Sequence, residues 1–272
     1  MNHATVRVQY GMAQFVEQCA AHGYAGVSVW GAEVEKVGFA TARSMIADHG
    51  LFVFGYNRAG PLMGPDFHRK DEAMDAARRE IDRAAEIGAD HVMLFPGGFV
   101  SGEKDLSGAR QRFAEMAKVL LDHAKTAGIR LALEPLHPML VGDRTCMGTL
   151  RHANDLCDRL GEGTGIVVDA HHVWWDEALE PEIARAGAAD RILAFHVNDW
   201  LLPTRHRLTD RGMMGDGIID LKGMWRSILG AGYDGPLEVE IFSEDWWAEP
   251  GDRVLEIAMQ RCREIFDGDT DA

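Results

Sequence analysis

The chain has 272 residues, of which 46% are hydrophobic, and this is enough to bury the core of one large α/β domain. Lys and Arg total 28 against 43 Asp and Glu, a formal net charge of -15 that argues against nucleic-acid and membrane partners and favours a small, uncharged molecule. The four cysteines form no CxxC pair, and neither a signal peptide nor an apolar run of 18 residues occurs, which predicts a reduced, cytoplasmic protein.

Short β-rich runs alternate with segments of helical periodicity along the chain. Eight strands are predicted at residues 5–8, 26–30, 51–55, 91–95, 130–134, 165–169, 192–198 and 237–241. Helices are predicted between them at residues 12–22, 38–49, 71–87, 108–127, 150–160, 221–229 and 253–266. Glycines after several helices, as in AAEIGAD and AKTAGIR, are typical helix C-caps that lead into the next strand.

Eight strands that alternate with helices in a chain of this length predict an α/β fold, a single (β/α)8 TIM barrel formed by residues 1–272. An open doubly wound sheet is the alternative, but no GxGxxG motif follows any strand. The longest connection, residues 200–220, follows the seventh predicted strand. We expect it at the catalytic mouth, because active sites of such barrels lie at the C-terminal ends of the strands.

Four consecutive predicted strands end on a side chain that can bind a metal ion. These side chains are Glu134, Asp169, His196 and Glu240. Three carboxylates buried together would repel one another, whereas a divalent cation would turn the cluster into a stable site. Three oxygens and one imidazole suit Mn, Mg, Co or Zn. The sequence therefore predicts one bound divalent metal ion, with Mn as the first choice.

Several motifs, in order, resemble those of the xylose isomerase-like barrel superfamily, in its sugar phosphate isomerase/epimerase branch: LALEPLHP, VVDAHHVWW, AFHVNDW, RGMMGDGIIDL and GYDGPLEVEIF. The site pattern is most similar to ketose 3-epimerases and inosose isomerases. This resemblance implies that the same four residues hold the metal, that His172 and Arg211 contact substrate, and that the protein is a homodimer or homotetramer. Spacing alone does not separate His172 from His171, and Arg211 could instead be a solvated loop residue.

Further residues near the strand ends have open roles. Glu238 rivals Glu240 as a ligand, but it lies one layer deeper, and we assign it to contacts behind the site. Asp199 is either functional or a cap of the long loop. His137 is expected as a substrate contact or a packed loop residue, and Trp30 as a ring that stacks on sugar.

A metal that chelates a ketone and the neighbouring hydroxyl acidifies the carbon between them. Glu134 and Glu240 are the predicted acid/base pair of an isomerase or epimerase that acts through a metal-bound enediolate on a keto-sugar or keto-inositol. The alternative is a lyase or hydratase on 3-oxo-glycosides that uses the same residues. The cluster of Arg205, His206 and Arg207 is a weak sign of a phosphate site, and an unphosphorylated substrate is favoured.

Two other classes fit less well. The AP endonuclease IV branch shares this barrel, but it needs further His ligands on early strands, and the segments FGYNRAG and FPGGF contain none. A sugar-binding barrel without catalysis would have lost one of the four ligands.

Overall fold

The computed structural model describes residues 1–65 and 67–267, which form a single α/β barrel. Seven parallel strands form the main sheet in the order β1-β2-β3-β4-β5-β6-β9, and β7 and β8 form a separate antiparallel pair. The strands are β1 (Gly26–Trp30), β2 (Phe52–Ala59), β3 (His91–Leu94), β4 (Arg130–Leu133), β5 (Thr164–Asp169), β6 (Ile192–Val197), β7 (Asp199–Trp200), β8 (Arg211–Gly212) and β9 (Leu237–Val239).

The helices alternate with the strands, as the periodicity predicts. They are α1 (Met12–Ala21), α2 (Gly31–Glu35), α3 (Phe39–Asp48), α4 (Lys70–Ile87), α5 (Leu106–Ala127), α6 (Leu150–Leu160), α7 (Ala170–Val173), α8 (Leu179–Ala188), α9 (Leu221–Gly230), α10 (Glu244–Ala248) and α11 (Gly251–Phe266). In α5, Phe113, Ala117, Leu120 and Ala124 recur every three or four residues and are buried, which is the pattern of a helix with one apolar face. Gly128 ends α5 in the left-handed conformation, with φ of 72°.

The first predicted strand, residues 5–8, is wrong. His3–Thr5 is a 3-10 helix followed by turns, and residues 1 and 2 close the barrel instead. The backbone N–H of Asn2 donates to the carbonyl of Val239, and that of Ser28 donates to the carbonyl of Met1. Thr5 then takes the next position on the sheet edge with its hydroxyl, which accepts from the N–H of Ile241. The alternating sequence after Thr5 has no free sheet edge left to join.

The other predicted strands occur near the predicted positions, although β2 continues four residues further, to Ala59. Helix α8 was not predicted, because Pro181 and Gly187 interrupt its pattern. No helix within residues 1–65 and 67–267 is both long and apolar enough to span a membrane.

A small apolar cluster from β2 to β6 lies apart from the main core between sheet and helices. It consists of Phe54, Met93, Ala132, Val167, Leu193 and Ala194. Side chains of this kind fill the interior of closed barrels. Met93 also lines the cavity at the C-terminal ends of the strands, so this cluster forms the floor below the candidate site.

Candidate metal centre

The four side chains that the sequence predicts as metal ligands lie together at the C-terminal end of the barrel. Asp169 is the last residue of β5, and it pairs in register with His196 of β6. Glu134 and Glu240 directly follow β4 and β9. Parallel pairing aligns the ends of these strands, and the four side chains therefore meet at one level of the barrel.

One donor atom from each of the four residues lies within 4.8 Å of the others. His196 Nδ1 is 3.4 Å from Glu134 Oε1 and 3.7 Å from both Asp169 Oδ2 and Glu240 Oε2. Among the described residues, Glu134 Oε1 and His196 Nδ1 are buried without a hydrogen-bond partner. Donor atoms that share a cation at about 2.1 Å each lie roughly 3–4 Å apart, so this arrangement fits a divalent cation after small side-chain adjustments.

The electrostatics of the four side chains also favour a bound cation. Burial raises the pKa of Glu134 to about 7, even though His196 lowers it. Burial would also raise the pKa of Asp169, but Arg211 and His172 hold it well below its ordinary value. Burial would lower the pKa of His196, but Glu238 and then Asp169 hold it well above 6.5. A cation that replaces the proton on His196 would relieve the same excess of negative charge.

Glu238 lies behind His196, on the side away from the other three carboxylates. Its Oε2 is 3.4 Å from His196 Nε2, and its Oε1 accepts a hydrogen bond of 2.7 Å from Asn2 Nδ2. A carboxylate at the second ring nitrogen of a metal-binding histidine commonly fixes the orientation of the ring. This geometry favours Glu240 as the candidate ligand and Glu238 as its support.

Two asparagines that the sequence analysis did not single out hold the carboxylates in place. Asn2 donates to Glu240 Oε1 at 2.9 Å as well as to Glu238. Asn198 Nδ2 donates to Asp169 Oδ1 at 3.0 Å. Asn198 stands two residues after His196, so a polar residue at the end of β6 was the available signal. For Asn2 there was none, because the strand was predicted at residues 5–8.

Arg211 reaches the same carboxylates from the long loop. The pairing of β7 with β8 sets Arg211 opposite Trp200, and its guanidinium Nη1 donates to Asp169 Oδ2 at 2.8 Å and to Glu240 Oε2 at 3.0 Å. The side chain is buried. Arg211 is therefore not a solvated loop residue, and it balances part of the negative charge of the cluster.

The structure also separates the two neighbouring histidines. His172 lines the cavity, whereas the ring of His171 packs against Trp200 at 4.7 Å between ring centroids. The backbone N–H of His137 donates to His172 Nδ1, so in the neutral ring the proton is on Nε2. Burial lowers the pKa of His172 to about 3, which keeps it neutral. Nε2 lies 3.2 Å from Arg211 Nη2, and an oxygen beside these two donors could accept from both.

The two remaining predicted substrate contacts lie in different surroundings. Trp30 lines the cavity, and its Nε1 donates to Asn2 Oδ1 at 2.9 Å. The ring of His137 is stacked on Trp200, 4.7 Å between centroids, and it is not among the side chains that line the cavity in the described chain. Of these two side chains, only Trp30 therefore lies at the cavity. The role of each residue as a substrate contact stays a prediction.

Asp199 organises the long loop. Its carboxylate accepts from the backbone N–H groups of Trp200, Gly215, Gly217 and Ile219, at 2.8 to 3.1 Å. The side chain is buried. This arrangement matches the loop-capping alternative, and it fixes the segment that carries Arg211.

We expect Asp199→Ala to lower the free energy of unfolding by about 2–4 kcal/mol, because several buried N–H groups would lose a charged acceptor. Urea denaturation followed by circular dichroism measures this change. Asp216→Ala is the control, since Asp216 is exposed in the same loop and pairs with Arg261 at the surface. Its effect should stay below about 1 kcal/mol, and equal losses in the two variants would contradict the role assigned to Asp199.

A cavity of about 280 Å³ opens above the cluster. Glu134, His172, Arg211 and Glu240 form one part of its wall. The rest is formed mainly by apolar and aromatic side chains together with arginines, among them Trp30, Phe95, Phe242, Arg7, Arg58 and Arg144. A small molecule in this cavity would contact Glu134 and Glu240 directly.

Comparisons with known proteins support the assignment of the fold. Protein SMc04130 from Sinorhizobium meliloti 1021, a crystal structure, is 45% identical, with a TM-score of 0.95 over 97% of both chains. A 3-dehydroshikimate dehydratase from Pseudomonas putida is 26% identical over 91% of this chain, which spans 38% of the dehydratase's length. The L-ribulose-5-phosphate 3-epimerase UlaE from Salmonella typhi is 25% identical over 74% of this chain and 68% of its own length.

The family model described as the xylose isomerase-like TIM barrel matches residues 16–265, which include all four candidate ligands. The seven-stranded barrel and the position of the cluster at its C-terminal end agree with this match. The chain belongs to the xylose isomerase-like TIM barrel family.

Proposed function

We propose that the protein is a divalent-metal-dependent isomerase or epimerase that transfers a proton next to the ketone of a keto-sugar or keto-cyclitol. The observation that carries this proposal is the pair of Glu134 and Glu240. Both carboxylates line the same cavity, and their donor atoms lie within 4.8 Å of each other beside two further metal-binding side chains. Glu134 Oε1 is buried and without a hydrogen-bond partner among the described residues.

Glu134, Asp169, His196 and Glu240 would hold the cation, and three oxygens with one imidazole favour Mn²⁺. When bound, it would polarise the ketone and stabilise the negative charge that develops on its oxygen. Burial raises the pKa of Glu134 in the metal-free protein to about 7, and a bound cation would lower it, which keeps the carboxylate ionised as a proton acceptor at neutral pH. Glu134 takes the proton from the carbon, and Glu240 returns one from its own side. Each such group typically contributes roughly 10²- to 10⁴-fold to the rate.

The neutral His172 and the buried Arg211 orient the substrate. His172 Nε2–H and Arg211 Nη2 lie 3.2 Å apart at the cavity wall, and both are donors. A substrate oxygen beside them would accept two hydrogen bonds, which fixes the carbon that loses its proton relative to Glu134.

A lyase that eliminates water or another leaving group is the second candidate. The similarity to a dehydratase over 91% of this chain favours it. The first step is the same removal of a proton next to a ketone. Loss of a leaving group from the β carbon then follows in place of reprotonation. Glu134 would again take the proton from the carbon, and Glu240 would protonate the oxygen of the leaving group.

The test is an assay of the Mn-loaded protein in D₂O with ketoses, inososes and 3-oxo-glycosides. We expect deuterium at the carbon next to the ketone in at least one substrate, measured by NMR. Rearranged isomers support the isomerase, whereas an unsaturated ketone or a released leaving group supports the lyase. If no substrate in the panel exchanges or reacts, the proposed function is contradicted.

A further inference from the structure

Two arginines that lie near the same aromatic ring line the cavity without an acidic partner. Arg58 is near the end of β2, and Arg144 follows β4 in the loop before α6. Within residues 1–65 and 67–267, neither guanidinium forms a hydrogen bond or an ion pair. This is unexpected in a chain with 43 acidic and 28 basic residues.

Both guanidinium groups lie near the ring of Phe95. The central carbon of Arg58 lies 4.2 Å from the ring centroid of Phe95 and 5.7 Å from that of Trp30. The central carbon of Arg144 lies 6.0 Å from the same Phe95 centroid. A guanidinium that stacks on a ring keeps the N–H groups at its edge available for an acceptor.

The positive charge of Arg58 is costly in this position. Burial lowers the pKa of Arg58, the charge of Arg144 lowers it further, and Glu134 and Glu240 act in the opposite direction. Those two glutamates are the candidate metal ligands. They form no ion pair with either arginine, so an anion bound beside the two guanidinium groups would be a closer counter-charge.

The basic cluster that the sequence suggested as a phosphate site is already neutralised. Arg205 pairs with Asp210 and Asp245, and Arg207 pairs with Asp143. Among the described residues, the cavity-lining arginines without an ion pair are therefore Arg7, Arg58 and Arg144, and none lies in the long loop. Arg7 lies over the rings of Phe242 and Trp247, whereas Arg58 and Arg144 both lie near Phe95.

We propose that Arg58 and Arg144 bind an anionic group of the substrate, a carboxylate or a phosphate, and that the substrate is an acidic keto-sugar or keto-cyclitol. The paired N–H groups of arginine match the oxygens of either anion. The anion would lie beside Arg58 and Arg144 and the ketone beside Glu134 and Glu240, in the same cavity of about 280 Å³. The substrate class rests on the proposed function, whereas the anion site does not.

Calorimetric titration of the metal-free protein with inorganic phosphate and with acetate tests the site directly, because no cation is then present to bind the anion. We expect at least one anion to bind, with an affinity at least about tenfold lower in Arg58→Met and in Arg144→Met. Arg79→Met is the matched control, since Arg79 is exposed on α4, away from the cavity. Failure of both anions to bind the wild-type protein, or unchanged binding in both Arg58→Met and Arg144→Met, would overturn the anion site.

Arg144 lies in a loop, so Arg144→Met keeps the test valid if Arg58→Met does not fold, and circular dichroism checks the folding of each variant.

Deuterium exchange with D-fructose, D-fructose 6-phosphate and 5-keto-D-gluconate then tests the substrate class and separates phosphate from carboxylate. We expect an anionic ketose to exchange at least tenfold faster than D-fructose, and Arg58→Met or Arg144→Met to remove this difference. Equal exchange of all three contradicts the acidic substrate but not the function. Anion binding without exchange of any ketose supports the anion site and counts against the function.

Discussion

Glu240→Gln is expected to reduce deuterium exchange at the carbon next to the ketone at least about a thousandfold. The substitution removes a proton-transfer group, worth roughly 10²- to 10⁴-fold, and weakens the candidate cation site at the same time. The shape of the side chain is kept, and the hydrogen bond from Asn2 to Oε1 can persist. NMR of the Mn-loaded variant in D₂O, with the substrate that the wild-type protein exchanges fastest, measures the loss.

Glu238→Gln is the matched comparison, two residues earlier in β9. Glu238 contacts His196 Nε2 and Asn2 but is not among the side chains that line the cavity. We expect its loss to weaken metal affinity by about 10- to 100-fold and exchange at saturating Mn²⁺ to remain measurable. If Glu238→Gln abolishes exchange while Glu240→Gln keeps both metal and exchange, the roles of the two glutamates are reversed.

The sequence predicted the candidate cluster because one geometric rule applies to all four residues. Glu134, Asp169, His196 and Glu240 each end or follow a short apolar run, and the barrel brings the ends of its strands to one rim. Periodicity in the sequence determines strand positions to within a few residues, and that accuracy is sufficient for this argument. The pairing of Asp169 with His196 shows how directly strand ends become neighbours.

Residues whose role depends on tertiary contacts could not be predicted in this way. Asn2 supports Glu238 and Glu240 because residues 1 and 2 bridge β1 and β9, a consequence of barrel closure that a strand predicted at residues 5–8 hides. Arg58 lies beyond the predicted end of its strand at residue 55. Whether a charged residue has a partner is a property of the folded chain, and net charge gives no indication of it.

The net charge of the sequence favoured an uncharged partner because it contains no information on which charges lie near the cavity. A net charge of -15 describes the whole surface, whereas a ligand in a cavity responds to the few charges around it. Most acidic residues lie outside the cavity, and several of them pair with other arginines, as in the pairs Asp210–Arg205 and Asp143–Arg207. The local balance near Arg58 and Arg144 is therefore more positive than the global value.

Mn²⁺ is expected to stabilise the metal-free protein, because it would bind the folded cluster and not the unfolded chain. At a concentration about one hundred times the dissociation constant, binding adds about 2.7 kcal/mol to the free energy of unfolding. For a chain of this size, this raises the melting temperature by about 5 °C. Differential scanning calorimetry before and after addition of Mn²⁺ to protein dialysed against EDTA measures the shift, and no substrate is required.

Asp169→Asn should remove this stabilisation at the same Mn²⁺ concentration, since the amide has nearly the shape of the carboxylate but no charge for the cation. Asp216→Asn, in the exposed part of the long loop, should keep it. The metal-free Asp169→Asn protein adds a second comparison. It loses one of the two carboxylates that pair with Arg211 but also one of the charges that repel Glu134. A similar melting temperature without metal, together with a lost Mn²⁺ shift, would assign Asp169 to cation binding and not to folding. An undiminished shift in Asp169→Asn would contradict the cation site.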